Sequence, residues 1–159
     1  IYRNNKKVDD LSNLIKFRRK CRLKAIKFYI ANNNHLAVML NSDGIYLSSY
    51  NKSLKCLRYK KSNYEIIGSA HNFKEILLKK KQGCSFVLLS KLFIVNYSKN
   101  SSYLGILKFN NISKTSKMII PLGGISLKKL NYLKNVNSEG FAILTEAKKK
   151  PAKIFSRLF

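Results

Sequence analysis

The sequence predicts an α/β fold built on a parallel sheet. Short apolar runs alternate with helix-length segments along the chain, the order that builds βαβ units. The runs are nearly continuous in apolar residues, as strands covered on both faces require. The run Met118–Leu122 ends in Gly123-Gly124 and then meets Ser126, a helix-start residue. In α/β proteins such a junction opens over a binding site. The glycines let backbone N–H groups approach a phosphate, and the following helix points its positive end at it.

The elements follow in order. Ile1–Arg3 reads as the tail of a strand. Asp9 or Asp10 can cap a helix running to about Lys24, with Leu11, Leu14 and Ile15 at helical spacing. Lys27–Ala31 is a strand, His35–Asn41 a short helix and Gly44–Leu47 a strand. Ser48–Asn63 is polar and irregular, with room for one short helix. Glu65–Gly68 is a strand, followed by a helix Asn72–Lys81 capped by Asn72. Ser85–Leu89 is a strand, and the polar loop Asn96–Ser102 leads to a weak helix near Gly105–Ile112. Met118–Leu122 is a strand, Ser126–Leu133 a helix, Gly140–Leu144 a strand and Ala147–Phe159 a terminal helix interrupted early by Pro151. Seven strands result. On periodicity alone, a (β/α)8 barrel and a doubly wound open sheet both remain open.

Composition narrows the class. A chain of 159 residues, 45% hydrophobic, is expected to form one domain, residues 1–159, with a real core. No stretch approaches the roughly 20 apolar residues of a membrane span, and no apolar leader follows the opening IYRNNKK. Cys21, Cys56 and Cys84 are odd in number and far apart, which argues against a disulfide framework or a zinc site and for a reducing cytoplasm. The net charge of +25, from 32 basic and 7 acidic residues, would suit nucleic acid or an acidic membrane. The basic residues are scattered, however, and mostly lysine. Clusters such as Arg18-Arg19-Lys20, Lys79-Lys80-Lys81 and Lys148-Lys149-Lys150 lie in or at the ends of predicted helices, where the helix dipole accounts for them. No nucleic-acid motif accompanies them, so a lysine-rich coding bias spread over solvated faces is the favoured reading; a phosphorylated small molecule would also be drawn to so positive a surface, a nucleic-acid-associated domain is the outlying alternative, and a homo-oligomer is allowed.

Several motifs in the right order carry a resemblance. Leu36–Leu47, LAVMLNSDGIYL, is similar to a Leu-Ala pair, short helix and Asp-Gly-Val-His-Leu strand of the thiamine phosphate synthase and thiazole tautomerase superfamily, with Tyr46 for the histidine. IIGSAHN resembles its strand ending in Ser-x-His, GCSFVLLSKLF its Gly-Ala-Asp-Tyr…Gly-Pro-x-Phe strand, Pro121–Ile125 its Gly-Gly-Ile turn, and EGFAILT its last strand. Ile1-Tyr2-Arg3 looks like the end of its second strand, normally Gln-x-Arg-x-Lys. The resemblance runs from the first residue to about Ala147. It implies a TIM-type (β/α)8 barrel of which strands 2–8 are visible and the first βα unit is missing.

The chemistry implied is the coupling of hydroxymethylpyrimidine diphosphate to a thiazole phosphate, with Mg²⁺ assisting departure of diphosphate. Carried over by position, Arg3 would bind the diphosphate, while its lysine partner is Asn5. The two metal aspartates fall on Asn32 and Asn51. Ser69 keeps a diphosphate-contacting serine, and Lys99 stands near the lysine of the loop after the sixth strand. Gly123 and Gly124 keep the thiazole-phosphate turn, and Thr145 replaces a serine that closes the phosphate cup. The tautomerase branch would need a histidine where this chain has Lys91, and His71 reads as structural. Loss of both aspartates leaves two expectations. One is a thiamine phosphate synthase. The other is a degenerate, non-catalytic barrel that binds a thiazole or thiamine phosphate or a protein partner.

Overall fold

In a computed structural model of the chain, the described residues are 1–3, 10–60, 64–95, 102–114 and 116–144. They fall in two compact units, Ile1–Ser69 with Lys74–Ser85, and Ala70–Phe73 with Phe86–Phe159.

In the first unit, helix α1 (Leu11–Leu23) starts where Asp10 accepts a hydrogen bond from the Ser12 N–H. Its buried side chains, Leu14, Arg18 and Cys21, recur at helical spacing. It ends before Ala25, whose φ of 53° takes the chain out of the helix. Strands β1 (Tyr29–Ala31), β2 (Gly44–Leu47) and β3 (Glu65–Ala70) pair in parallel, with Tyr29 opposite Gly44 and Gly44 opposite Glu65. Gly44 is required here, because a Cβ would lie 2.0 Å from the Glu65 carbonyl oxygen. Helix α2 (Asn34–Met39) is capped by Asn33, which accepts from the Leu36 N–H at 2.9 Å. Helix α3 (Leu57–Lys60) is the single short helix of the irregular stretch, and α4 (Phe73–Lys81) follows β3.

At the amino ends of these strands, buried Arg18 grips Asp43 with two 2.8 Å hydrogen bonds, and the Phe28 N–H adds a third at 2.7 Å. Burial alone would raise the Asp43 carboxyl. The hydrogen bonds from Arg18 and Phe28 and the charges of Arg18 and Arg22 outweigh it and hold the group below its usual range. Glu65 is likewise engaged, by Lys27 at 2.8 Å and the Tyr29 hydroxyl at 2.6 Å. The core of the unit is formed by Phe28, Ile30, Ile45, Tyr46, Leu47, Ile66 and Ile76.

In the second unit, β4 (Phe86–Ser90) and β5 (Ile119–Leu122) pair in parallel, Val87 opposite Ile119. Helix α5 (Gly105–Ser113) buries Phe109, and Val87, Leu89, Leu92 and Ile119 are also enclosed.

Three expectations change. Of seven expected strands, five form among the described residues, and the first and last runs each make one bridge, Tyr2 to Ile30 and Ala142 to Leu122. Before Ala142, the Ser138 hydroxyl donates to the carbonyls of Ile119 and Gly140 at 3.1 and 2.9 Å, a local alternative to ladder bonding. Next, Leu127–Asn135 is a 3₁₀ helix and not an α-helix. Ser126 makes no side-chain cap, the first turn has no acid, and no residue of the segment is buried, so neither capping nor packing favours the α form. Finally, β3 runs on through Ser69 and Ala70. The expected helix Ala147–Phe159 lies outside the described residues.

Candidate functional site

The candidate residues of the first unit gather where β1 and β2 end. Asn32 follows β1 with φ 56°, a left-handed conformation that asparagine tolerates better than most residues. Its N–H donates to the Tyr46 carbonyl at 2.9 Å. Its side chain is saturated. Oδ1 accepts from the Ser48 N–H and from the Asn51 amide, each at 3.0 Å. Nδ2 donates to the Ser48 hydroxyl at 2.7 Å and to the Tyr50 hydroxyl at 3.0 Å. Asn51 in turn accepts the Ser53 N–H at 3.0 Å. The two asparagines expected at one site are therefore in direct contact. Beside them, the Arg3 guanidinium lies over the Tyr46 ring, 4.6 Å from its centre, and donates to the Tyr46 hydroxyl. Backbone bonds between Tyr2 and β1 place it there. Ser69, near the end of β3, is buried as a residue and makes no side-chain hydrogen bond among the described residues.

Sequence reasoning missed the residues that hold this loop. Lys79 is fully enclosed, and its ammonium donates to the carbonyls of Ser48 and Asn51 and to Gln82 Oε1, at 2.7, 2.9 and 2.9 Å. Gln82 donates to the carbonyls of Asn51 and Ser53, both at 2.9 Å. Lys79 was masked by its run of three lysines. The available signal was its place three residues after buried Ile76, with Gln82 three further on, along one helix face. Burial pulls its ammonium below the ordinary lysine value.

Mg²⁺, the cofactor that the resemblance implies, does not fit these residues. It demands hard, preferably anionic oxygens in near-octahedral array. Here the two carboxylates are replaced by amides whose oxygens already accept hydrogen bonds from one another's neighbours. No group of three histidine, cysteine, aspartate or glutamate side chains that could hold a metal occurs among the described residues.

In the second unit, Gly123 and Gly124 form the turn after β5 with φ of 95° and 69°. The turn is pinned to the end of β4, where the Leu92 and Phe93 N–H groups donate to the carbonyls of Leu122 and Gly123 at 2.9 and 3.0 Å. A Cβ at Gly124 would lie 2.5 Å from the Phe93 carbonyl oxygen, so no larger residue fits. The Gly123 and Gly124 N–H groups donate to nothing else among the described residues. Lys129 lies 5.0 Å from the Phe93 ring centre. His71 Nδ1 is 3.0 Å from the Ser90 hydroxyl and 3.2 Å from its carbonyl. A separate apolar cavity of about 340 Å³, lined by Pro121, Leu130, Leu133, Val136 and Phe141, does not include the glycines. Asn5, Lys99 and Thr145 lie outside the described residues.

A family model described as thiamine monophosphate synthase matches residues 2–147. The chain belongs to this family. Thiamine-phosphate synthases are similar to it at 28% identity in Prochlorococcus marinus, over 87% of this chain and 40% of the relative, and at 28% in Flavobacterium johnsoniae, over 82% and 66%. The chain thus spans between two fifths and two thirds of these relatives' length. Among solved structures, thiamine phosphate pyrophosphorylase from Pyrococcus furiosus superposes with a TM-score of 0.70 at 16% identity, over 95% of this chain and 78% of that one. Its TIM-like α/β fold is therefore shared by this family member. A 3-keto-L-gulonate-6-phosphate decarboxylase from Vibrio cholerae gives a TM-score of 0.61 at 11% identity, over 86% and 70%. No helix among the described residues is long and apolar enough to cross a membrane.

Proposed function

We propose that this chain serves thiamine biosynthesis by binding the phosphate of a phosphorylated thiazole, or of thiamine phosphate, at the Gly123–Gly124 turn. The observation that carries this is the pair of backbone N–H groups, without an acceptor among the described residues, in a turn where a side chain at Gly124 would strike the backbone. Convergent N–H donors in such a turn make a concave anion site. The names of both structural relatives include phosphorylated compounds, which agrees with a phosphate site on this fold. On this reading the protein works in the cytoplasm with its three cysteines free.

The second reading adds turnover. Hydroxymethylpyrimidine diphosphate loses diphosphate as its methylene C–O bond breaks, and the thiazole nitrogen supplies the electron pair for the new C–N bond. Arg3, oriented by Tyr46, and the Ser69 hydroxyl are the groups of the first unit suited to receive the leaving diphosphate. The family match over residues 2–147 favours it, and the closed Asn32–Asn51 pair weighs toward binding alone.

One experiment decides between them. Purified protein is mixed with both substrates, with and without Mg²⁺, and thiamine phosphate is quantified, while thermal shift is recorded with thiazole phosphate alone. Stabilisation without product supports binding only, and product formation supports turnover. No stabilisation and no product would refute both.

A further inference from the structure

The enclosed ammonium of Lys79 has no role in the readings above and is costly to bury. The fold nevertheless makes room for it. A Cβ at Gly68 would lie 2.8 Å from Lys79 Cδ and 3.1 Å from Cγ, so β3 omits a side chain where the lysine stem passes. All three of its hydrogen bonds go to neutral oxygens. Together, Lys79 and Gln82 make four hydrogen bonds to the carbonyls of loop 48–53. From the other side, Asn32 binds Ser48, Tyr50 and Asn51 of the same loop. The loop is gripped on both sides by groups this chain carries itself, at the place where the resemblance puts a metal.

We propose that Lys79 is a built-in substitute for a divalent cation. It fixes loop 48–53 and supplies positive charge beneath Asn32 and Asn51, so that the first unit accepts a diphosphate group without Mg²⁺. The diphosphate clause rests on the reading of the chain as a binder of phosphorylated substrates; the loop clause does not.

The test uses the whole chain. With wild-type protein, calorimetric titration of Mg²⁺ alone is expected to give no saturable heat, and amide exchange in loop 48–53 to be the same in EDTA and in Mg²⁺. Saturable Mg²⁺ binding, or protection gained with Mg²⁺, would overturn the proposal, and this arm needs no variant to fold. In Lys79→Met, loop amides are expected to exchange about tenfold faster or more while α1 and β2 keep wild-type protection; unchanged loop protection would overturn it. Inorganic pyrophosphate in EDTA is expected to bind wild type and to bind Lys79→Met about tenfold more weakly, as removal of one partly screened charge predicts. Pyrophosphate binding that appears only with Mg²⁺, or not at all, would overturn the diphosphate clause. Failure of thiazole phosphate to bind would instead refute the Gly123–Gly124 reading and leave the loop arms standing.

Discussion

Replacing Gly124 by alanine tests the turn most directly. At φ 69° an alanine sits in the left-handed region, at a cost of about 1–2 kcal/mol. Its Cβ would also lie 2.5 Å from the Phe93 carbonyl oxygen, 2.6 Å from the Ile94 carbonyl oxygen and 2.6 Å from the Phe93 carbonyl carbon. These are backbone atoms and cannot rotate aside, so relief requires moving the ends of β4 and β5, at about 1–3 kcal/mol more. The sum is about 2–5 kcal/mol, or a fall in Tm of roughly 5–15 °C for a chain of this size. Three other glycines calibrate it. Gly140→Ala meets nothing within 4 Å and is expected to be neutral. Gly105→Ala carries the φ cost with its nearest contact at 4.0 Å. Gly123→Ala carries that cost plus a 3.2 Å approach to Lys91 Cα. Scanning calorimetry and urea titration should rank the four as Gly124, Gly123, Gly105, Gly140, from most to least destabilising. Gly124→Ala within about 0.5 kcal/mol of Gly140→Ala would refute the packing argument, since independent surface changes scatter by that much.

Arg18→Met should cost about 1–3 kcal/mol in urea unfolding, because it leaves a partly enclosed Asp43 with one of its three hydrogen bonds. The depressed Asp43 carboxyl stabilises the fold above its usual pKa of 3.8, and that contribution is lost as pH falls through the lower folded value. Wild type should therefore lose stability more steeply than Arg18→Met on acidification below about pH 4, and parallel acid limbs would contradict this. Burial pushes the Cys84 thiol up to about 12 and raises that of Cys56, and all three cysteines are enclosed. Thiol reagents at pH 8 should label them only at the rate of unfolding, and a fast native phase would disprove it. Asn33→Ala removes the cap of α2 and should cost about 1 kcal/mol by urea unfolding, with no loss counting against the cap.

Strands were legible where burial is two-sided. Gly44–Leu47 is buried at every residue, so an unbroken apolar run fixed both ends of β2. Helix α1 was legible from its Asp10 cap, although of the apolar residues Leu11, Leu14 and Ile15 that marked it only Leu14 is buried, beside Arg18 and Cys21. The segment Leu127–Asn135 misled because its apolar spacing is helical although the residues meet no core, and spacing reports a face without reporting what covers it. The site was legible as positions and not as partners. Asn32 and Asn51 lie 19 residues apart, and only the parallel register of β1 and β2 brings the loops that carry them together. Lys79 was hidden because a lysine in the last turn of a helix has a sufficient surface explanation.

The placement of the few acids, more than the number of bases, gives the charge its direction. Five of the seven carboxylates fall on described residues. Asp10 caps α1, Asp43 and Glu65 are bound at the amino ends of the strands, Glu75 lies in the first turn of α4, and Glu139 lines the apolar cavity. The Lys79 ammonium donates to the neutral oxygens of Ser48, Asn51 and Gln82, and the Arg3 guanidinium to the Tyr46 hydroxyl. On the proposed reading, a phosphate at the carboxyl ends of β1 and β2 would meet amides, hydroxyls and the cations of Arg3 and Lys79. Exposed lysines elsewhere are screened beyond about 10 Å at ordinary ionic strength and add little there. A buried ammonium is screened far less. It follows that Lys79 and Arg3, more than the overall charge of +25, would set the field that such a phosphate meets.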